Sequence, residues 1–130
     1  MFDVLDETEG NLVAIRIRQG TPKGYRELYS LLKEKTGKYG QIHVYEEVPN
    51  WTFRTFLTHF HGIVPDLRDG PEFDIGRYAA VGDSKWAKLL FDWWRVIRPI
   101  WPVAPEEMRY FELNNSEEAL NWLRDRSGYR

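Results

Sequence analysis

The sequence predicts an α/β domain: one mixed sheet of five strands, with about four helices packed mainly on one face. Five short stretches read as strands, and apolar residues recur with a helical period in four others. After an opening pair of strands the two kinds alternate along the chain, the order of a sheet with helices packed on it. With 130 residues, 42% apolar and 29% charged, the chain is expected to form one domain over residues 1–130 with enough mass to bury a core.

Phe2 to Asp6 reads as a short strand and Glu9-Gly10-Asn11 as a turn. From Leu12 to Gln19, Val13, Ile15 and Ile17 point one way while Arg16 and Arg18 point the other, as in a hairpin with one face on a core. The two arginines are read as solvated strand charges rather than as contacts to an anionic partner. Thr21-Pro22 supplies an N-cap and a first-turn proline. Tyr25, Leu28, Tyr29 and Leu32 follow at helical spacing, so a helix is expected to run to about Thr36 and stop at Gly37. Gln41 to Glu47 is the next strand, with Ile42, Val44 and Val48 on one side.

Pro49-Asn50 breaks that strand. Phe53, Phe56, Leu57, Phe60 and Val64 then make another helical stripe, weakened near its end by Gly62 and Pro65. Ile75 to Val81 is an apolar strand whose Ala79 and Ala80 fit a crowded, central place. After Gly82-Asp83-Ser84, a helix carries Trp86, Leu89, Leu90, Trp93, Trp94 and Ile97 on one face and Lys85, Lys88, Asp92 and Arg95 on the other, until Pro99 and Pro102 end it. Arg109 to Leu113 reads as the last strand. Asn115, with Glu118 three residues on, begins a terminal helix of Ala119, Leu120, Trp122 and Leu123.

Charge and composition exclude several functions. Eighteen Lys and Arg against twenty Asp and Glu give a net charge of -2, so there is no overall basic footprint for nucleic acid. The absence of cysteine removes disulfides, thiol catalysis and cysteine metal sites. An N-terminus carrying Asp3, Asp6, Glu7 and Glu9 is the reverse of a secretory signal, and no run of about 18 apolar residues exists to span a membrane, so a cytoplasmic protein is expected.

The chemistry scan finds no nucleophile elbow, dinucleotide fingerprint or phosphate loop. On a helix His59 and His61 would point apart and could not share a metal ion. Glu46 and Glu47 face opposite sides of a strand and cannot act as a carboxylate pair. Asp83 stands at the carboxyl end of a strand, where α/β proteins often bind ligands, but a helix N-cap is its favoured reading. No enzyme activity and no cofactor are expected.

The strongest positive signal is aromatic. Four of the six tryptophans lie between positions 86 and 101, in a segment where Lys85, Lys88, Arg95 and Arg98 outnumber Asp92. With Trp93 at the centre of its apolar stripe, Trp94 and Trp101 lie toward one edge and Phe91 falls outside. That is wider than one sheet contact requires. Either these rings fill a groove against the Phe53-Phe56-Phe60 helix, or the surplus covers a partner chain, a pocket or a lipid surface. In the lipid case Phe91, Trp94 and Trp101 supply apolar contact, and the four cations meet anionic headgroups. In the partner case, this helix or a sheet edge makes a homodimer.

Two motifs carry a family resemblance. Arg77-Tyr78-Ala79-Ala80-Val81-Gly82-Asp83 followed by Trp86, and Glu117-Glu118-Ala119-Leu120-Asn121-Trp122-Leu123 near the end, make the chain similar to the SpoIIAA-like family of small bacterial proteins. The opening hairpin and the approach to the first helix from Gly20 to Tyr25 also fit. The resemblance implies a STAS-type fold related to CRAL-TRIO lipid-binding domains. It further implies an apolar ligand pocket and peripheral membrane association at the inner membrane face, with the family's second and third helices as a gate. These map onto Trp51–Phe60 and Lys85–Arg98. The residues implied for a lipophilic ligand or membrane are Phe53, Phe56, Leu57, Phe60, Trp86, Leu90, Phe91, Trp93, Trp94, Ile97 and Trp101, with Lys85, Lys88, Arg95 and Arg98 for headgroups. The alternative implied role is a protein-interaction module like the anti-sigma-factor antagonists. Those carry a phosphorylatable serine after a strand, and Val48-Pro49-Asn50-Trp51-Thr52 has none.

Overall fold

The computed structural model describes residues 2–18, 22–49, 74–83, 85–97 and 105–127. In chain order these form β1 (Phe2–Val4), β2 (Leu12–Ile17), α1 (Pro22–Tyr39), β3 (Ile42–Val48), β4 (Ile75–Gly82), α2 (Lys85–Ile97), β5 (Glu107–Glu112), a 3-10 turn (Leu113–Asn115) and α3 (Ser116–Ser127). The helix expected over Trp51–Phe60, together with His59 and His61, lies outside the described residues.

The five strands form one mixed sheet in the order β1-β2-β3-β4-β5. β1 runs antiparallel to β2, and β2 through β5 are parallel. The hairpin closes because Gly10 takes a positive φ of 58°, which a glycine adopts without strain, beside the Glu9–Leu12 bridge. Each parallel strand is added beside the one before it. Right-handed crossovers stepping always in one direction put their helices on a single face. Leu28 and Leu32 of α1 and Phe91 of α2 accordingly share one core with Val13, Ile15, Ile17, Ile42, Val44, Val48, Tyr78 and Ala80.

α3 follows the last strand and is not a crossover. Its Ala119 and Leu123 close the opposite face over Leu12, Ala14, Tyr45, Ala79 and Val81. β2 is therefore buried on both sides, not one: Leu12 and Ala14 are as deeply covered as Val13 and Ile15. Arg16, at the far end of β2, is ion-paired rather than merely solvated, with Nε 2.8 Å from Glu47 Oε1.

α1 runs past Gly37 and ends before Gly40. Gly40 takes φ 78°, and its N–H donates to the Thr36 carbonyl at 2.8 Å, the left-handed cap that stops a helix. Gly37 stays helical, with open space around it.

Candidate functional site

α2 forms over a stretch without glycine or proline, and Lys88 Nζ meets Asp92 Oδ1 at 3.1 Å across one turn. Two of its residues are covered differently from expectation. Phe91, assigned above to lipid contact, is a core residue: it is 5% exposed, with its ring centroid 5.8 Å from that of Tyr110. Leu89, expected in the buried stripe, is 49% exposed, and Val96 is 77% exposed. The cause is the partner strand. Met108 and Tyr110 of β5 offer apolar surface beside this core, and Phe91 meets it. A wheel centred on the bulkiest ring has no knowledge of that neighbour.

Trp93 is half-buried at the edge of the same core. Leu89, Trp93 and Val96 stand at i, i+4 and i+7, so one apolar stripe runs from the core edge out into solvent. Lys85, Lys88 and Arg95 are all exposed on this helix. Lys88 Nζ lies 5.6 Å from the Tyr110 ring centroid, and the Arg95 guanidinium 6.0 Å from that of Phe91. The side chains of Trp86, Leu90, Trp94 and Ile97, and the whole of Phe53, Phe56, Leu57, Phe60, Arg98 and Trp101, lie outside what is described.

Two adjacent acids give a second, unforeseen feature. Glu46 and Glu47 are both nearly buried on β3, facing opposite sides. Glu47 accepts from Arg16 Nε at 2.8 Å and from the Tyr45 hydroxyl at 2.8 Å. Burial, with the Glu47 charge beside it, holds the Tyr45 phenol well above its usual range. Glu46 accepts from the Tyr78 hydroxyl, at 2.8 Å to Oε2. Burial pushes its carboxyl up to about 7 against the opposing effect of the Tyr78 bond. The signal was in the sequence. Positions 42, 44, 46 and 48 read Ile, Val, Glu, Val, an acid in an apolar row of period two.

The two motifs quoted above meet in space. Arg77 of the first donates from Nη1 to the Trp122 carbonyl of the second at 2.7 Å. Its Nε lies 3.4 Å from Glu107 Oε2, an ion pair without hydrogen-bond alignment, so that N–H is buried and unsatisfied. Asp83 is exposed and, with Glu112, Leu113 and Asn114, lines an open hollow of about 540 Å³ at the carboxyl ends of β4 and β5. Burial, then the charges of Glu112 and Asp83, push the nearby Tyr110 phenol up to about 12. Among the described residues, no group of three or more His, Cys, Asp or Glu side chains is placed to hold a metal ion. No described helix is long and apolar enough to cross a membrane.

A parallel sheet opened by one antiparallel strand, covered by crossover helices on one face and a closing helix on the other, defines a STAS-like α/β domain. The sequence profile of the SpoIIAA-like family matches residues 12–124, nearly the whole described fold, and the chain belongs to that family. No curated protein and no solved structure matches it.

Proposed function

We propose that this domain is non-enzymatic, that it binds a lipophilic molecule, and that it associates peripherally with anionic membranes through the outer side of α2. The observation that carries the reading is the exposed pair Leu89 and Val96, continuous with half-buried Trp93 and set among Lys85, Lys88 and Arg95. Leu and Val side chains held in water at mid-helix gain free energy when covered. Three cations against the single carboxylate of Asp92 favour a negatively charged cover, each cation contributing about 1 kcal/mol near an anionic surface.

Flotation with vesicles tests it. Wild type floats with phosphatidylglycerol-containing vesicles and not with pure phosphatidylcholine, and added salt releases it. The Leu89→Ser, Val96→Ser double variant stays behind with an unchanged circular dichroism spectrum. Wild type that ignores anionic vesicles refutes the membrane part of the reading. Wild type that exists only as a dimer, with Leu89 protected from labelling, refutes it too and assigns the stripe to a second copy of the chain.

A further inference from the structure

The two edges of the sheet are built differently. β1 is three residues long, and its Asp3 is held by Arg18 Nε at 3.2 Å. β5 pairs with β4 over six consecutive residues without a bulge, and no described strand pairs with its outer side. It contains no proline and no lysine, two of the devices that keep an edge strand from pairing. We propose that the outer edge of β5 docks antiparallel against the same edge of a second copy of this chain, with Met108 on the two-fold axis. Two sheets then join into one.

Charge selects both the partner and the register. Antiparallel edges related by a two-fold axis through the sheet pair residues of the same face, so the axis passes beside a single residue. An axis at Arg109 sets arginine against arginine. An axis at Tyr110 sets Arg109 against Phe111 and Met108 against Glu112. An axis at Met108 sets Glu107 opposite Arg109 of the partner subunit, and Arg109 opposite Glu107 of the partner subunit. Those are two complementary cross-strand pairs.

Both side chains are available for them. The Arg109 guanidinium is exposed, lies 5.0 Å from the Trp122 ring centroid, and forms no ion pair with a described carboxylate. Stacking on the ring reduces the freedom it loses on pairing. Glu107 is part-exposed, and its 3.4 Å approach to Arg77 Nε lacks hydrogen-bond alignment. Both belong to the side of β5 that faces α3, as their contacts to Trp122 and Arg77 show. The two-fold axis also keeps both helix-covered faces on one side of the joined sheet. Each α2, whose Phe91 packs on Tyr110 of its own β5, then stands on the same side as its copy. The pairing does not depend on the lipid reading.

Sedimentation of the full chain over a concentration series tests it. Wild type forms a weak, reversible dimer, as suits an interface this small. Arg109→Glu sets like charges opposite each other at both pairs, and so does Glu107→Arg. Each lowers self-association at least about tenfold. Mixed in equal amounts, the two variants restore both complementary pairs and form a heterodimer. Wild type that stays monomeric throughout overturns the proposal. So does a dimer that both single variants retain, or a mixture that fails to associate. Should either variant fail to fold, cysteine cross-linking decides, since the chain has no cysteine of its own. Thiols at Met108→Cys meet on the axis and oxidise to a covalent dimer, while those at Glu112→Cys, exposed but far from it, do not. Equal cross-linking at the two positions overturns the proposal.

Discussion

The guanidinium of Arg77 lies 4.7 Å from the ring centroid of Trp122 while its Nη1 donates to that same residue's carbonyl at 2.7 Å. One side chain on β4 thus holds both the ring and the backbone of α3. The Arg109 guanidinium, on the neighbouring strand, is 5.0 Å from the ring as well. Lysine lacks the planar fork needed to stack and donate together. Arg77→Lys is expected to cost about 2 kcal/mol in urea unfolding, and Arg109→Lys, which loses a ring contact without a bond to that carbonyl, less than about 1 kcal/mol. Equal losses at the two positions would show that the carbonyl bond contributes nothing.

Gly76 has a similarly local cause. A Cβ there would lie 2.6 Å from His43 Cε1 and 2.7 Å from Gln41 Oε1. Gln41 is only half-buried and can move. His43 is buried, and its Nδ1 accepts the backbone N–H of Arg77 at 3.0 Å. Gly76→Ala is expected to destabilise by about 2 kcal/mol. In a His43→Ala background the same change should cost much less, because the obstructing ring is gone. A double-mutant cycle showing simple additivity would mean that the ring is not the obstruction.

Glu46 makes stability depend on pH. Its carboxyl is raised from 4.5 to about 7 by burial. The unfolded chain therefore releases this proton first, and ionisation favours unfolding. The group's contribution is fully present below about pH 4.5 and is lost as pH rises through 7. The loss amounts to at most about 3 kcal/mol, with a plateau above. Urea unfolding across that range should show a falling midpoint for wild type, and Glu46→Gln should remove that component. Parallel pH profiles for the two proteins would place the ionisation elsewhere.

Phe91 and Val96 should separate folding from surface binding. Phe91→Ala opens a cavity beside Tyr110 and is expected to cost about 3 kcal/mol. Val96→Ser changes stability by less than about 0.5 kcal/mol but weakens vesicle flotation. Loss of stability in Val96→Ser would mean that the outer side of α2 is covered within the fold.

What the sequence made legible was whatever depends on near neighbours. The sides of β3 followed from Ile42, Val44 and Val48, and the opposition of Glu46 to Glu47 from strand geometry alone. The end of α1 was missed by three residues because Gly37 and Gly40 are both able to stop a helix, and only the backbone angle at Gly40 decides. The burial of Phe91 was missed because its ring meets Tyr110 of β5, which follows it in sequence. The burial of Glu46 and Glu47 needs both faces of the sheet to be covered. One cover arrives from α1 and α2, the other from α3, and no local pattern reports either. Arg77 and Trp122 were each noticed as motif residues, yet their contact joins positions 45 apart.

The strand order carries a consequence for synthesis. β1 to β5 stand side by side in the order in which they are made, so each new strand finds its partner already present at the growing edge. The crossover helices cover their face as they emerge. The opposite face has a different history. Leu12, Ala14, Tyr45, Ala79 and Val81 wait for Ala119 and Leu123, and stay wet until α3 has left the ribosome. A nascent chain halted before Ser116 presents a half-finished sandwich, one side closed and one side adhesive. That is the stage at which a chaperone has something to hold.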